Sequence, residues 1–388
     1  MIYFVLLLIL FFGSVKYDLF QEYPRKSSSI TYLKFSYILL WGVAAFRFRL
    51  GPDSIAYEYF YDNEMREFYS ITLDHLIDSR FGIVWVLLSG LFKSFSGYYV
   101  YQAFIALFSI FSVYAFVRRY SQYPHITSLL FYLFLYHYFS MEILREACAI
   151  SFFLWSLSYL DRNKVFSGLL YILCVLTHWY SVVLIPIYII LIFNVSHRKV
   201  LISCFLFLLP LILIDNPVDK IETFLNVFRS VDLTYYKVLP NLSFFGYIYY
   251  FMKLGFTLIL IAYSRKIKSS WGVFESRMFV VVTIFYCTFI VIRIFGIPHF
   301  ERFLNYFVIF VMILGSQYVM TLLGRFSYGL KLLVFSVALP IIVIFSMSPI
   351  LKVDETKKFQ TYSTFYPYYS IFNPNYDESR ENYSFEGW

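Results

Sequence analysis

The sequence predicts an all-α, polytopic integral membrane protein of about 12 transmembrane helices, and three observations carry that reading. Of its 388 residues, 60% are hydrophobic and only 14% charged, against roughly 45–50% and 25% in a soluble domain. Mean hydropathy is +0.67. Apolar runs recur along the whole chain, and each spanning helix needs about 20 apolar residues plus a connection. That leaves no length for a separate soluble catalytic domain, so residues 1–388 read as one membrane domain. Any chemistry falls to side chains on the spans and their loops.

Taken in order, candidate spans lie near residues 1–15, 31–46, 99–117, 125–140, 146–160, 165–177, 180–193, 200–214, 244–263, 274–293, 302–322 and 329–347. The opening MIYFVLLLILFFGSV lacks a basic n-region and a small-residue cleavage site, so it reads as a retained first span. The run 82–96, GIVWVLLSGLFKSFS, is short and interrupted by Gly90 and Lys93. It reads as a short re-entrant or interfacial helix.

Lysine and arginine clusters set the orientation. They are Arg25/Lys26, Arg118/Arg119, Arg162/Lys164, Arg198/Lys199, Arg265/Lys266/Lys268 and Arg325/Lys331. With all six in the cytoplasm, the loops 47–81 and 215–243, the tail 348–388 and both termini fall outside, provided 82–96 does not cross. Segment 47–81 carries four basic and seven acidic side chains, and the tail four and six. Neither is basic, as expected of exported segments. The tail mixes aromatics with Asn, Ser and Pro, which suits sugar stacking and suits a partly disordered terminus at least as well.

Several function classes drop out. The net charge of +8 is scattered through short loops, a topology signal rather than a stripe for nucleic acid. Cys148, Cys174, Cys204 and Cys287 lie in apolar stretches without CxxC spacing and read as core residues. No GxGxxG or Walker loop supplies a nucleotide motor, and no Ser-centred elbow is present. With no Asp-x-Asp and no histidine cluster, neither a metal nor another cofactor is implied.

Ionisable residues within or beside spans mark candidate sites, because the membrane makes them costly. They are Arg47 and Arg49 in FRFRLGPD, Glu142, Arg145 and Glu146 in MEILREACA, His178, Arg293, and His299, Glu301 and Arg302 in IPHFERFLNY. The predicted topology puts every one at the outer end of a span, where arginine runs against the positive-inside trend. Guanidinium groups at one level of one leaflet suit a diphosphate headgroup, since Arg offers planar bidentate donors and keeps its charge. Any single one could instead snorkel or pair with a neighbouring carboxylate, as Arg145 with Glu142 or Glu146, or Arg302 with Glu301. His178 alone reads as a hydrogen-bonded helix-end residue.

Gly51-Pro52 ends the second span and forces a turn, with Asp53 directly after it and Tyr57 four residues on. A carboxylate there could take the proton of a sugar hydroxyl. Equally, Asp53 could cap a helix starting at Ser54.

These residues resemble a known family. Arg47-x-Arg49-x-Gly51-x-Asp53 followed by Tyr57, and Ile143-Leu-Arg145-Glu-Ala-Cys-Ala149 on a later span, are similar to the EpsG-like and Wzy-type polysaccharide polymerases. The Asp161-Arg-Asn-Lys164 turn leading to Thr177-His178, Arg302 with Tyr306, and Pro367-Tyr368 after the last span extend the likeness over most of the chain. The family often carries Asn or Gln beside the central Arg, whereas Glu142 and Glu146 stand here.

The resemblance implies a metal-independent glycosyltransferase that polymerises O-antigen, capsule or exopolysaccharide repeat units. Its substrates are undecaprenyl-diphosphate-linked oligosaccharides at the periplasmic face of a bacterial inner membrane, and a chain-length regulator is an implied partner. Asp53, Arg145 and Arg302 are the implied catalytic residues. Arg47, Arg49, Tyr57, Glu142, His178, Arg293, His299, Glu301 and Tyr306 are the implied diphosphate and glycan contacts. Other lipid-dependent transferases of the GT-C type also place an acidic residue in the first outer loop, so a GT-C-like fold is expected by analogy. A GT-C glycosyltransferase, a membrane acyltransferase and a lipid-linked glycan flippase are the rival readings.

Overall fold

The computed structural model describes the chain except residues 21–26, 80, 214–241, 265–270, 296–300, 348–352, 355–358 and 386–388. Among the described residues the fold is helical, apart from one antiparallel pair of two-residue strands, Val353–Asp354 with Phe359–Gln360. It divides into two compact units, residues 1–182 with 319–388, and residues 183–318.

The twelve expected spans are not all long helices. Among the described residues five are long and apolar enough to cross: Ile2–Leu19, Tyr98–Tyr120, Phe244–Ser264, Val273–Ile294 and Leu304–Leu323. A sixth arises if Pro124–Met141 and Leu144–Tyr159, bent by 119°, count as one. Lys164–Thr177 and Trp179–Ile192 stand where spans were expected but are shorter. The expected loop 215–243 lies almost wholly outside the described residues.

In the first unit, α1 (Ile2–Gly13) and α2 (Ser27–Ala45) are followed by α3 (Pro52–Asn63), α4 (Leu73–Asp78), α5 (Ile83–Lys93) and α6 (Tyr98–Tyr120). Next come α7 (Pro124–Phe131), α8 (His137–Met141), α9 (Leu144–Tyr159) and α10 (Lys164–Thr177). The 11 residues of α5 reach about 16 Å, half of the roughly 30 Å hydrocarbon core. They cannot cross it.

Helix ends in this unit are set by side chains that satisfy orphan backbone groups. Asp18 Oδ2 accepts from the Ile126 amide at 2.8 Å, in the first turn of α7 behind Pro124. Asn163 caps α10 through the Phe166 amide at 2.9 Å. Lys93 Nζ donates to the Tyr61 and Asp62 carbonyls at 2.6 and 2.8 Å, closing the C-terminus of α3 and tying α5 to it.

An aromatic core joins α3, α5, α6 and α9. Tyr57, Phe60, Tyr61, Phe81, Trp85, Tyr98 and Tyr101 bury their rings with Leu144 and Cys148. The start of α5 presses on the end of α10, where a Cβ on Gly82 would run into the backbone carbonyls of Leu176 and Thr177. Glycine is required there for close approach rather than for backbone freedom.

The second unit is built around Val273–Ile294, which is buried continuously from Met278 to Ile290. The helix Phe244–Ser264, α11 (Ile185–Ile192) and α12 (His197–Leu213) pack on it. One charge interrupts the 244–263 run: Lys253 Nζ lies 5.5, 5.7 and 5.4 Å from the ring centres of Tyr249, Tyr250 and Tyr286.

Gly82→Ala should force α5 away from α10, an overpacking cost of about 1–3 kcal/mol. A drop of several degrees in the unfolding midpoint of purified protein is expected. Gly168→Ala, where a Cβ meets nothing within 4 Å, should leave the midpoint unchanged or higher. Equal midpoints for Gly82→Ala and the parent would show that the α5–α10 approach has slack.

Candidate functional site

Several predicted residues of the first unit converge at the end of α2, and the backbone explains how. After Ala45 the chain leaves the helix through a bent segment, Phe46–Leu50, and turns at Gly51, whose φ is +87°. A Cβ on Gly51 would lie 2.8 Å from the Met141 carbonyl. The turn is therefore seated on the break between α8 and α9, where Glu142 and Arg145 stand. Arg145 in turn lies over the Phe81 ring at 5.2 Å, and Gly82 beside Phe81 abuts Thr177, next to His178. Arg47, Arg49, Asp53, Glu142, Arg145 and His178 thus share one end of the unit.

Pro52, not Ser54, begins α3, with Gly51 as its N-cap. This corrects the capping alternative for Asp53. Proline pre-sets the first helical φ, which moves the cap two residues upstream. Asp53 falls in the first turn, where its charge faces the positive end of the helix dipole.

One side chain that the sequence reading passed over closes this turn. Gln102 on α6 donates from Nε2 to the carbonyls of Ala45 and Arg47 at 3.1 and 3.0 Å. Its Oε1 accepts from Ser54 Oγ at 3.3 Å, and Tyr98 donates to the Ser54 carbonyl at 3.1 Å. A glutamine inside the apolar run YYVYQAFIALF was the available signal. Tyr57 lies below, buried against Trp85 with ring centres 5.3 Å apart.

Arg47 is fully buried, at 0% exposure. Nη1 donates to the Ala44 carbonyl, while Nε and Nη2 have no hydrogen-bond partner among the described residues. Burial pushes its pKa below the ordinary guanidinium value, opposed by Tyr98, Tyr136, Tyr368 and Tyr3 around it. Those hydroxyls donate to backbone carbonyls: Tyr98 to Ser54, Tyr136 to Leu40, Tyr368 to Val43 and Tyr3 to Phe365, at 2.7–3.1 Å.

Arg49 is in the opposite state. Its Nε and Nη2 donate to both oxygens of Glu381 at 2.6 and 2.5 Å, and Nη1 lies 3.1 Å from Glu58. The Tyr376 ring stacks on its guanidinium at 5.3 Å. Burial works against the charge, but the Glu381 hydrogen bonds and Glu58 outweigh it and hold the pKa above its usual value. Glu58 accepts from Tyr99 at 2.7 Å. Burial raises its own pKa, against the pull of Tyr99 and Arg49. Arg49 adopts φ +49°, a left-handed conformation that costs a non-glycine residue about 1–2 kcal/mol.

The tail supplies the other half of this neighbourhood. Ser370 pairs with Arg47 in an antiparallel bridge, Phe48 and Gly51 donate to the Tyr369 and Thr364 carbonyls at 2.9 and 3.0 Å, and Ile371 donates to Phe46 at 3.0 Å. Arg380, 1% exposed, donates to the Ser363 and Pro367 carbonyls at 2.9 and 3.2 Å.

The remaining predicted residues belong to the second unit. Arg293 Nε donates to Glu301 Oε2 at 2.9 Å, and Tyr250 donates to the other Glu301 oxygen. Glu301 therefore pairs with Arg293, eight residues away, where the sequence offered its neighbour Arg302 as one alternative. The physical reason is that the end of Val273–Ile294 brings the Arg293 fork to it. Arg302 is exposed and Tyr306 is buried. His299 lies outside the described residues.

No curated protein and no solved structure matches the chain. A family match does: the EpsG family covers residues 30–370, from α2 through the tail residue that pairs with Arg47. The chain belongs to the EpsG family, a family of Wzy-like polymerases.

Proposed function

We propose that this protein polymerises undecaprenyl-diphosphate-linked oligosaccharide repeat units, moving the growing glycan from its lipid diphosphate to a fresh lipid-linked unit. The reading puts the site at the periplasmic face of a bacterial inner membrane, in a twelve-pass GT-C-like chain working with a chain-length regulator. Family membership supports the polymerase class. The single observation that favours diphosphate chemistry is Arg47, a buried guanidinium with two donor nitrogens, Nε and Nη2, unused among the described residues. A buried uncompensated charge costs several kcal/mol, and an anionic ligand would offset it with charge-assisted hydrogen bonds.

In this reaction the acceptor hydroxyl gives its proton to Asp53 as its oxygen bonds to the anomeric carbon. The bond from that carbon to the phosphate oxygen breaks, and the diphosphate departs with the electron pair. Arginines stabilise the charge that develops on it. Glu142 and His178 are given the role of holding the glycan.

Asp53→Asn separates base from helix support. The first-turn charge is worth about 0.3–1 kcal/mol, whereas losing a general base costs about 10²–10⁴ in rate. The variant should insert stably yet build single units from purified lipid-linked substrate. Wild-type ladders from it would move the base elsewhere.

Lysine keeps charge but not the planar fork. Arg47→Lys, Arg145→Lys and Arg302→Lys should each abolish long glycan with protein still in the membrane. Full ladders from all three would remove the arginines from the chemistry, and a deletion strain with no surface glycan at all would point to a flippase or an earlier transferase.

Orientation is tested separately. Cysteines placed near Asp62, Asn226 and Asn375 should label from the periplasm, and those near Lys26, Lys199 and Lys266 only after permeabilisation. Labelling of position 375 from the cytoplasm alone would put the site on the other face.

A further inference from the structure

Arg47 and Arg49 are both withdrawn from any incoming anion by the same piece of chain. Arg47 lies under the tail, with Ser370 bridged to its backbone and Tyr368 beside its guanidinium. Arg49 has its fork filled by the tail's Glu381. A carboxylate gripping a guanidinium through two parallel N–H···O bonds reproduces the way a phosphate is held. We propose that residues 361–385 form a strap that closes the arginine site, Glu381 occupying the position of a phosphate, and that a diphosphate headgroup must displace it. This rests on the proposed diphosphate ligand but not on the transfer chemistry.

The strap is built to move as a body. Arg380 is stitched to the Ser363 and Pro367 carbonyls, both within the strap, and Asp377 caps the first turn of its helix Glu378–Phe385 by accepting from the Arg380 amide. Its seat consists of short backbone pairing to 46–51, the Glu381–Arg49 fork and ring contacts such as Phe46 with Phe372, ring centres 5.3 Å apart. Single hydrogen bonds add to it, from Arg380 to the Arg49 carbonyl at 3.5 Å, from Tyr368 to the Val43 carbonyl and from Tyr3 to the Phe365 carbonyl. The outward side chains Tyr366, Phe372 and Tyr376 are exposed. A diphosphate carries more charge than Glu381, so it competes for Arg49 on favourable terms. Arg47, once uncovered, adds two donors that the closed strap leaves unused.

The accessibility of Thr364, 1% exposed when the strap is seated, reports the closure. Thr364→Cys is introduced into the full chain in nanodiscs, and its maleimide labelling rate is measured over the background of the parent, whose Cys148, Cys174 and Cys287 are buried. Ser370→Cys serves as a second reporter, so that a disturbance caused by Thr364→Cys itself does not decide the result. Glu381→Gln should raise both rates by about tenfold without ligand, since it removes a charge-assisted pair. With Glu381 intact, undecaprenyl diphosphate should raise them comparably.

A rise with inorganic pyrophosphate as well assigns the opening to the headgroup. A rise with the lipid form alone adds a requirement for the chain. Rates that stay low with both diphosphates overturn the proposal, whatever Glu381→Gln does. Polymerisation with an unresponsive strap would sink the strap alone, and a responsive strap without polymerisation would sink only the transfer reading.

Discussion

A guanidinium buried at the end of a helix in an apolar protein, with no carboxylate paired to it among the described residues, is the constraint on which the rest of this architecture turns. Arg47 is enclosed by tyrosines from four parts of the chain, at positions 3, 98, 136 and 368. Each of those hydroxyls is committed to a backbone carbonyl. Those bonds occupy the tyrosine hydroxyls and leave Arg47 Nε and Nη2 without a partner among the described residues. Gln102 fixes the backbone on both sides of Arg47, and the Gly51 turn rests on the Met141 carbonyl. Geometry of this kind holds a cation in place without neutralising it, which is what a preorganised anion site requires.

Arg49, two residues on, shows the complementary solution. It is paired with Glu58 and Glu381, stacked by Tyr376, and held in a left-handed backbone conformation by hydrogen bonds on either side. The two arginines of one short motif thus sit in opposite electrostatic states, one uncompensated and one saturated. The tail of the same chain makes the difference.

Much of this was legible because the membrane penalises charge. Arg47, Arg49, Asp53, Glu142 and Arg145 stood out against apolar sequence, and they do gather at one end of the first unit. Contacts between distant segments were not legible. Arg49 and Glu381 are 332 residues apart, and the tail's composition read for sugar stacking or for disorder, not for docking on the rest of the chain. Gln102 passed as one polar residue in a span. The alternative that Asp53 caps a helix from Ser54 gave way because Pro52 takes the first helical position, and of the alternative pairings Glu301 takes Arg293 rather than the adjacent Arg302. Among the described residues five helices are long and apolar enough to cross, and Pro124–Met141 with Leu144–Tyr159 carry the composition of a span across a sharp bend.

On the proposed reading, Arg47 keeps its donors for a diphosphate that reaches it once the tail lifts. A cryo-electron microscopy structure of the full chain in nanodiscs with undecaprenyl diphosphate bound decides this. The expected result is a phosphate oxygen within hydrogen-bond reach of Arg47 Nε or Nη2, with Glu381 released from Arg49. A diphosphate bound elsewhere, with Arg47 still enclosed by Tyr3, Tyr98, Tyr136 and Tyr368, would contradict it.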